Sequence, residues 1–179
     1  MSGESPRAAD LAATLRGAFD RSFAEAHPPD PPPSEDLLAI RVGTEPYALR
    51  LSEIAGLFAD RKITPLPRRA SALLGIAGFR GAIVPVYDLH VLLGDTPAET
   101  ARWLAMAAEA PVAFAFAAQE GHLRIPCAAI VPHRGDEPTH QNIRDFARTP
   151  DGVRPIVHLS SVIGAVRRQL PANLPGDLE

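Results

Sequence analysis

The chain has 179 residues, of which 46% are hydrophobic and 22% charged, and its formal net charge is −3 at pH 7. This composition is typical of a folded domain with its own core, and the acidic balance gives no electrostatic footprint for nucleic acid. The single cysteine, Cys127, excludes an internal disulfide framework, and no apolar run approaches the ~20 residues of a membrane helix. The sequence therefore predicts a soluble cytoplasmic protein with no direct membrane insertion.

Residues 1–35 are predicted to form an arm that precedes the main domain. Leu11, Leu15, Phe19 and Phe23 recur every four residues and give one apolar stripe of an amphipathic helix. The stretch HPPDPPPS that follows predicts an extended linker, because proline fixes φ and lacks a backbone donor. Whether the stripe packs on its own domain or in a partner's groove stays open.

The body begins with a predicted hairpin and a short helix. The segment LLAIRVGTEPYALRL has an apolar run, a turn at 43–46 and then alternating apolar residues, which is a hairpin pattern. In SEIAGLF, Ser52 is a candidate cap and Ile54, Leu57 and Phe58 stand at helical spacing. We therefore expect a short helix there.

The next stretch is predicted to form a second short helix and a strand. RRASALLGIAG is interpreted as a helix that ends at Gly75 or Gly78. AIVPVYDL predicts a strand in which Pro85 occupies an edge or bulge position, because proline cannot donate to a sheet ladder.

The second half repeats this alternation around an intervening helix predicted at 96–109, with Thr96 as its cap. Alternating VAFAFAA then predicts a strand, followed by a turn at 119–121 and further strand. A turn at 150–152 precedes a last strand and a closing helix. Two series of short strands with short helices favour small barrels over a βαβ sheet.

No catalytic constellation emerges from the residue patterns. The glycines at 75, 78 and 81 do not match the dinucleotide fingerprint, and the six histidines show no metal-binding spacing. Cys127 follows a proline in an apolar strand, where a buried cysteine behaves as a small hydrophobe. We therefore expect no enzyme activity, no metal and no cofactor, with a small cysteine-dependent enzyme as the rival hypothesis.

The segment GIAGFRGAIVPVYDL resembles the signature of the CheW-like family, the adaptor domains of bacterial chemosensory arrays, roughly G-x-x-N-L-R-G-x-x-x-P-V-x-D-L. The matching residues are Gly75, Arg80, Gly81, Pro85, Val86, Asp88 and Leu89. Gly78-Phe79 stands where the family usually has Asn-Leu. The resemblance covers about residues 36–166 and weakens after Gly94.

The resemblance implies a mainly β fold with two SH3-like five-stranded β-barrel subdomains and short helices, at about 36–95 and 110–166. Outside it lie the N-terminal helical arm and a C-terminal tail at 167–179. It also implies a non-enzymatic adaptor that couples chemoreceptors to a CheA-type histidine kinase. The expected partners are the cytoplasmic tip of a methyl-accepting chemotaxis protein, the regulatory domain of the kinase and other CheW-like proteins, within membrane-associated or cytoplasmic receptor arrays.

The resemblance also assigns site residues. Arg80 matches an arginine associated with receptor coupling, and Ile54 matches a hydrophobic position in the groove that accepts the receptor tip. Leu57 and Gly75 match positions on the kinase-facing side of the first barrel. Plain core packing is the alternative for Ile54, Leu57 and Gly75, and a pairing with Asp88 is the alternative for Arg80.

Two glycines and one aspartate of the signature are expected to be structural. Gly81, together with Gly78, is predicted to supply the positive φ of a tight turn that leaves Arg80 projecting. Asp88 is expected to cap the next segment or to pair with Arg80.

One departure from the family pattern concerns the kinase. The family often has an acidic residue just before the position of Leu57, where this chain has Gly56. The second half also lacks the family's usual Gly and Asp. An alternative hypothesis is therefore a specialised adaptor that binds a receptor or a paralogue but engages the kinase poorly.

Overall fold

The computed structural model describes residues 14–16, 32–67, 71–94, 101–132 and 142–169. Residues 14–16 are helical, lie in a separate unit, Met1–Pro32, and leave Leu15 62% exposed. The other residues of the predicted N-terminal stripe lie outside the described part. The second unit, Pro33–Glu179, carries all of the elements that follow.

Apart from residues 14–16, the described residues form two β-sheets and two short stretches of α-helix, which confirms the mainly β class. The strands are β1 Ser34–Val42, β2 Glu45–Arg50, β3 Ile54–Ala59, β4 Leu73–Phe79, β5 Ala82–Asp88, β6 Trp103–Ala107, β7 Ala113–Phe116, β8 Ala118–Pro126, β9 Ile130–Pro132, β10 Ile143–Thr149 and β11 Gly152–Val157. The helices are α1 Leu89–Leu92 and α2 Leu159–Gln169, and 3-10 turns lie at Leu51–Glu53 and Cys127–Ala129.

The two sheets interleave along the chain. The six-stranded sheet has the order β8-β1-β2-β11-β10-β9, and the five-stranded sheet has the order β3-β6-β7-β5-β4. Neighbouring strands are antiparallel except for the parallel pairs β2–β11 and β5–β7. The N-terminal hairpin therefore belongs to a sheet completed by the last strands of the chain, while β6 and β7 complete the sheet of β3, β4 and β5.

A shared core joins the sheets. It contains Leu38, Ile40, Val42, Tyr47 and Leu49 of the six-stranded sheet, Tyr87, Ala105, Phe114 and Phe116 of the five-stranded sheet, and Leu159, Val162, Ile163 and Val166 of α2. A second cluster is confined to the five-stranded sheet and includes Phe79 and Leu104. A third includes Leu37 and Ile156 of the six-stranded sheet. Each sheet is thus covered by apolar side chains on both faces.

The N-terminal hairpin is confirmed, with Leu38 opposite Leu49 and Gly43 at φ 59 in its two-residue turn. The predicted helix in SEIAGLF is wrong, because this segment is a 3-10 turn followed by β3. A β-bulge between Ile54 and Gly56 brings Ile54 and Leu57 to the same shared core. Their three-residue spacing imitated a helix, since a regular strand would turn them to opposite faces.

The helix predicted in RRASALLGIAG is also wrong over the described residues, where Leu73–Phe79 is strand β4. β4 carries its own bulge, between Leu73 and Gly75. Pro85 lies in β5, an interior strand and not an edge. On the β4 side, Pro85 lies opposite Ile76, whose backbone forms its hydrogen bonds with Thr64. On the β7 side, the pairing of β5 with β7 begins only at Val86. Neither neighbouring strand therefore needs a donor at Pro85.

The helix predicted at 96–109 is wrong at Trp103–Ala107, which is β6, between β3 and β7; residues 96–100 lie outside the described part. Alanine favours helices, but pairing on both sides overrides that local preference.

The turn predicted at 119–121 is a bulge within β8. Gly121 pairs with Ala39 and Gln119 with Ile40, so that Glu120 is the extra residue. The strand β7, the turn before β11 and the closing helix α2 are confirmed.

The bulged Glu120 links three strands of the six-stranded sheet. Its carboxylate accepts hydrogen bonds from Arg41 Nε at 2.9 Å and from Arg154 Nη1 at 2.7 Å. Burial acts to raise the pKa of Glu120, but the hydrogen bonds and charges of both arginines outweigh it and hold that pKa below its usual value. A lowered folded-state pKa stabilises the fold above the unfolded-state pKa, and this contribution is lost as pH falls through the folded-state pKa.

We expect Glu120→Gln to lower the free energy of unfolding by about 1 kcal/mol at pH 7. The difference from wild type shrinks at acidic pH, because the wild-type carboxyl is then protonated and also neutral. Urea unfolding at neutral and acidic pH measures both values. Exposed Glu45, whose side chain accepts one 3.5 Å hydrogen bond from Thr44, provides the control Glu45→Gln. A deficit of equal size at both pH values would contradict this account.

Position 75 requires glycine because the backbone of Thr64 and Pro65 lies too close for a side chain. A Cβ there would lie 2.1 Å from the Thr64 carbonyl oxygen, and Gly75 has a φ of 153°. We expect Gly75→Ala to lower the free energy of unfolding by about 2 to 4 kcal/mol, measured by urea unfolding. Exposed Gly78 on the same strand has no atom within 4 Å of its Cβ position, so Gly78→Ala is the matched control. Equal losses in the two variants would refute the close-approach role.

Candidate functional site

The β4–β5 turn presents Arg80. Arg80 has a φ of 46° and Gly81 a φ of 87°, so both take the left-handed conformation that a tight two-residue hairpin turn requires. Gly78 is instead a strand residue, paired with Ile83. The positive φ that was expected of Gly78 is thus supplied by Arg80 itself. A left-handed arginine is uncommon, and here it places an exposed guanidinium at the tip of the hairpin.

Asp88 caps a helix and does not hold Arg80. Its carboxylate accepts a hydrogen bond from the His90 backbone nitrogen at 2.9 Å, at the start of α1. Its own backbone nitrogen donates to the Ala72 carbonyl at 2.8 Å. Within the part of the chain that the structure describes, no carboxylate forms an ion pair with Arg80. The Arg80 side chain is therefore available to a partner.

Arg80 borders a cavity of about 370 Å³. Most of its lining is apolar and comes from β5, β6 and the turn that follows β6, including Val84, Met106 and Ala107. The charged residues of its lining are Arg80 and Glu109. The cavity thus combines an apolar floor with one cationic and one anionic group.

A second cavity, of about 350 Å³, shares Ala108 and Glu109 with the first. It adds Ser52 and Glu53 from the corner between β2 and β3, and Leu159, Ser160 and Ile163 from α2. We call the two cavities together the joined groove. Ile54 follows Glu53 and pairs with Ala107, and it is half-buried against the shared core. Of the two predicted receptor-binding residues, Arg80 thus lines the joined groove, whereas Ile54 does not line it and only neighbours two residues that do, Glu53 and Ala107.

Glu53 holds the groove's walls together, and sequence reasoning missed it. Its carboxylate accepts a hydrogen bond from the Leu159 backbone nitrogen at 2.7 Å and lies 3.5 Å from His158 Nε2. Its carbonyl oxygen accepts from the Ala108 nitrogen at 2.9 Å. The 3-10 turn, the turn after β6 and the start of α2 thus meet at one residue. The only signal in the sequence was an acidic residue within an apolar run.

The predicted kinase-facing residues do not line the joined groove. Leu57 is half-buried, pairs with Ala105 and packs against the shared core. Gly75 is buried beneath the segment at Thr64, whose backbone forms two hydrogen bonds with Ile76 at 2.8 and 2.9 Å. A contact at Gly75 would therefore be made by the segment above it.

Gly56 makes room for an aromatic ring. A Cβ at this position would lie 2.8 Å from Phe58 Cε2. The Phe58 ring stands edge-on to Phe79 at 4.8 Å between ring centroids, and the Arg61 guanidinium lies 5.3 Å from the Phe58 ring centre. The position where the family often has an acidic residue is thus next to an aromatic and cationic arrangement.

Cys127 is exposed in the 3-10 turn after β8, so the prediction of a buried cysteine in an apolar strand is wrong. Its backbone nitrogen donates to the Pro33 carbonyl at 2.9 Å, which fixes the turn.

Among the described residues, no group of three His, Cys, Asp or Glu side chains could hold a metal ion. No helix in the described part is long and apolar enough to cross a membrane.

Comparison with known proteins gives a family and a fold. The model of the CheW-like domain matches residues 36–167. The probable chemotaxis protein CheW of Rhizobium etli is 29% identical over 75 residues, which cover 41% of this chain and 48% of that protein. The chemotaxis protein CheW of Rhizobium meliloti is 30% identical over 64 residues, which cover 36% and 41%. The aligned segments thus span about half or less of these relatives.

Among solved structures, the scaffolding protein TtCheW of Thermoanaerobacter tengcongensis superposes with a TM-score of 0.64. The match covers 70% of this chain and 89% of that one, at 19% sequence identity. At that level of identity the match shows a common fold.

We expect Glu53→Ala to lower the free energy of unfolding by about 1 to 2 kcal/mol, because the Leu159 amide loses its acceptor. Glu53→Gln retains an amide oxygen and is expected to lose less. Urea unfolding at pH 7 measures both. The control is Glu109→Ala, which removes only an exposed hydrogen bond to the Ser160 hydroxyl near the same helix. If Glu53→Ala cost no more than this control, Glu53 would not anchor α2.

Proposed function

The chain belongs to the CheW-like family, and on that premise we propose that it is a non-enzymatic adaptor that couples chemoreceptors to a CheA-type histidine kinase. The family match spans most of the chain, and both sequence relatives are named as chemotaxis proteins. The fold is also that of a scaffolding protein. In this proposal the chain acts on the cytoplasmic side and joins receptor arrays through its partners.

The joined groove is the observation that carries the proposal. The apolar lining of its first cavity suits an amphipathic helix, which binds by laying an apolar face into a groove. Arg80 adds a rigid fork of donors at one end, suited to a carboxylate or a carbonyl on the receptor tip. Ile54 pairs with Ala107, which lines the groove, so a charge at Ile54 would disturb the packing of that lining strand.

The kinase contact is proposed on the surface of β3 and on the segment around Thr64 that covers Gly75. Gly75 is buried and Leu57 is half-buried against the shared core, so both act by supporting that surface. Receptor and kinase then contact different parts of the five-stranded sheet. An adaptor needs this separation to hold both partners at once.

A second candidate function is the specialised adaptor, which binds a receptor or another CheW-like protein but engages the kinase poorly. Gly56 favours it, because the carboxylate frequent in the family is absent and Arg61 covers the neighbouring Phe58. Calorimetric titration with the kinase regulatory domain separates the two. Affinity at the low-micromolar level or better would reject the specialised adaptor.

The receptor contact is tested by capture from an extract of the source organism on immobilised protein, with mass spectrometry of the bound fraction. We expect wild type to retain a chemoreceptor and a histidine kinase. Arg80→Glu and Ile54→Asp are expected to lower receptor capture at least about ten-fold, because the first reverses the charge at one end of the groove and the second introduces a charge into the strand pair that carries Ala107.

Arg148→Glu is the matched control, since Arg148 is exposed on β10 and does not line the joined groove. Thermal melting checks that Ile54→Asp remains folded, while Arg80→Glu changes only an exposed side chain. Receptor capture by Arg80→Glu equal to that of the control would overturn the assignment of the groove. Failure of wild type to retain either partner would overturn the coupling function.

A further inference from the structure

A cavity of about 430 Å³ lies between the start of β10 and one face of α2. Arg144 and Asn142 line it from the β10 side, and Ser161, Gly164 and Arg168 line it from α2. His158 and Ser160 complete the lining. None of the described lining residues is acidic, so the cavity is positively charged.

Arg144 and Arg168 are two described arginines without an ion pair that line the same cavity. Four described arginines are in ion pairs, namely Arg41, Arg50, Arg102 and Arg154. Arg124 donates to Ser34, and Arg61 lies against Phe58. Within the described part of the chain, Arg144 and Arg168 have neither an ion pair nor a side-chain hydrogen bond, yet both line this one cavity. Two guanidinium groups without a counter-charge repel each other, and an anion between them would remove that repulsion.

Gly164 explains how Arg168 reaches the cavity. Side chains on a helix lean toward its N-terminus, so a long residue covers the position four places earlier. For Arg168 that position is Gly164, and a Cβ there would lie 3.5 Å from Arg168 Nη1. The guanidinium therefore lies along the helix over the glycine, directed toward Ser160 and Ser161.

The walls of the cavity are fixed by hydrogen bonds that leave the two guanidinium groups free. The Asn142 amide donates to the Leu92 carbonyl at 3.1 Å, and His158 Nδ1 lies 3.1 Å from the Ser161 hydroxyl. The Ser160 hydroxyl donates to Glu109 at 2.6 Å, outside the lining.

Three backbone amides at the start of α2 are also occupied. Leu159 donates to Glu53, and Ser161 and Val162 donate to the His158 carbonyl. Glu53 also lies 3.5 Å from His158 Nε2, on the side of the joined groove. These three amides are therefore not available to an anion in this cavity, and the two arginines are its main donors.

We propose that this cavity binds a phosphate-type oxyanion between Arg144 and Arg168. A guanidinium binds an oxyanion through two parallel N–H···O bonds, so two of them suit a group with more than two acceptor oxygens. A phosphate monoester carries about −1.5 to −2 charges at pH 7 and three acceptor oxygens, which matches two cations better than one carboxylate does. The same chemistry is presented by a small phosphate ester and by a phosphorylated side chain of a partner.

The test is a titration of the full chain with inorganic phosphate at constant ionic strength, followed by NMR of the arginine Nε–H groups and the α2 amides. We expect saturable shifts with a Kd of about 1 mM or tighter, a value typical of a small anion held by two charge-assisted contacts. Arg144→Gln and Arg168→Gln are each expected to weaken phosphate binding at least about ten-fold. Arg167→Gln is the charge-matched control, because Arg167 is exposed on α2 but does not line the cavity.

Two further probes distinguish the source of the phosphate. Tighter binding of a phosphoserine pentapeptide than of inorganic phosphate indicates a partner's side chain, whereas tighter binding of a mononucleotide indicates a small ester. Both results support the site. Unsaturable shifts in wild type, or equal phosphate affinity in Arg168→Gln and Arg167→Gln, would overturn it. Thermal melting verifies that each variant is folded.

Discussion

The structure depends on the shared core, in which both sheets and α2 bury apolar side chains against one another. Phe114 of the five-stranded sheet and Leu49 and Ile40 of the six-stranded sheet are fully buried in it. Burial of each such side chain contributes about 1.5 to 3 kcal/mol to the free energy of unfolding. Because the core is shared, separation of the sheets would expose one face of each. The strand order also ties the two ends of the domain together, because β1 and β2 lie between β8 and β11 in one sheet.

The joined groove is a consequence of that arrangement. It forms where the shared core ends, between the hairpin tip at Arg80, the turn after β6 and the start of α2. Glu53 fixes the junction through the Leu159 amide and the Ala108 amide. Because Glu53 joins the 3-10 turn, the turn after β6 and the start of α2, this part of the groove is preorganised, and preorganisation lowers the entropic cost of binding a partner helix. The cationic cavity lies on the other side of Ser160, so a ligand there would sit next to the groove without occupying it.

The sequence predicted the first hairpin, β5, β7, β11 and the closing helix, because each has strong alternation, turn residues or helical periodicity. The errors came from two causes. Bulges in β3, β4 and β8 shift residues to the other face, so Ile54 and Leu57 imitated a helix and Glu120-Gly121 imitated a turn. Alanine-rich β6 lies between two strands, where pairing with β3 and β7 outweighs helix propensity.

The site was predictable only in part. The signature located Arg80 at a hairpin tip, because Arg-Gly before a strand is a local pattern. Its availability depends on Asp88 capping α1, a choice between two partners that the residues alone left open. Glu53 and the pair Arg144 and Arg168 could not be predicted, since their roles depend on α2, which follows Glu53 by more than 100 residues. Such long-range contacts leave no periodic trace in a single sequence.

The central claim is that the chain joins a receptor to a kinase, and co-sedimentation of the three purified components tests it most directly. The histidine kinase is mixed with membranes that contain the chemoreceptor, with and without this chain, and the pelleted kinase is measured. The account predicts that the kinase pellets with the membranes only when the chain is present, in an amount that saturates with added chain. Kinase recruitment that is unchanged by the chain would contradict the account.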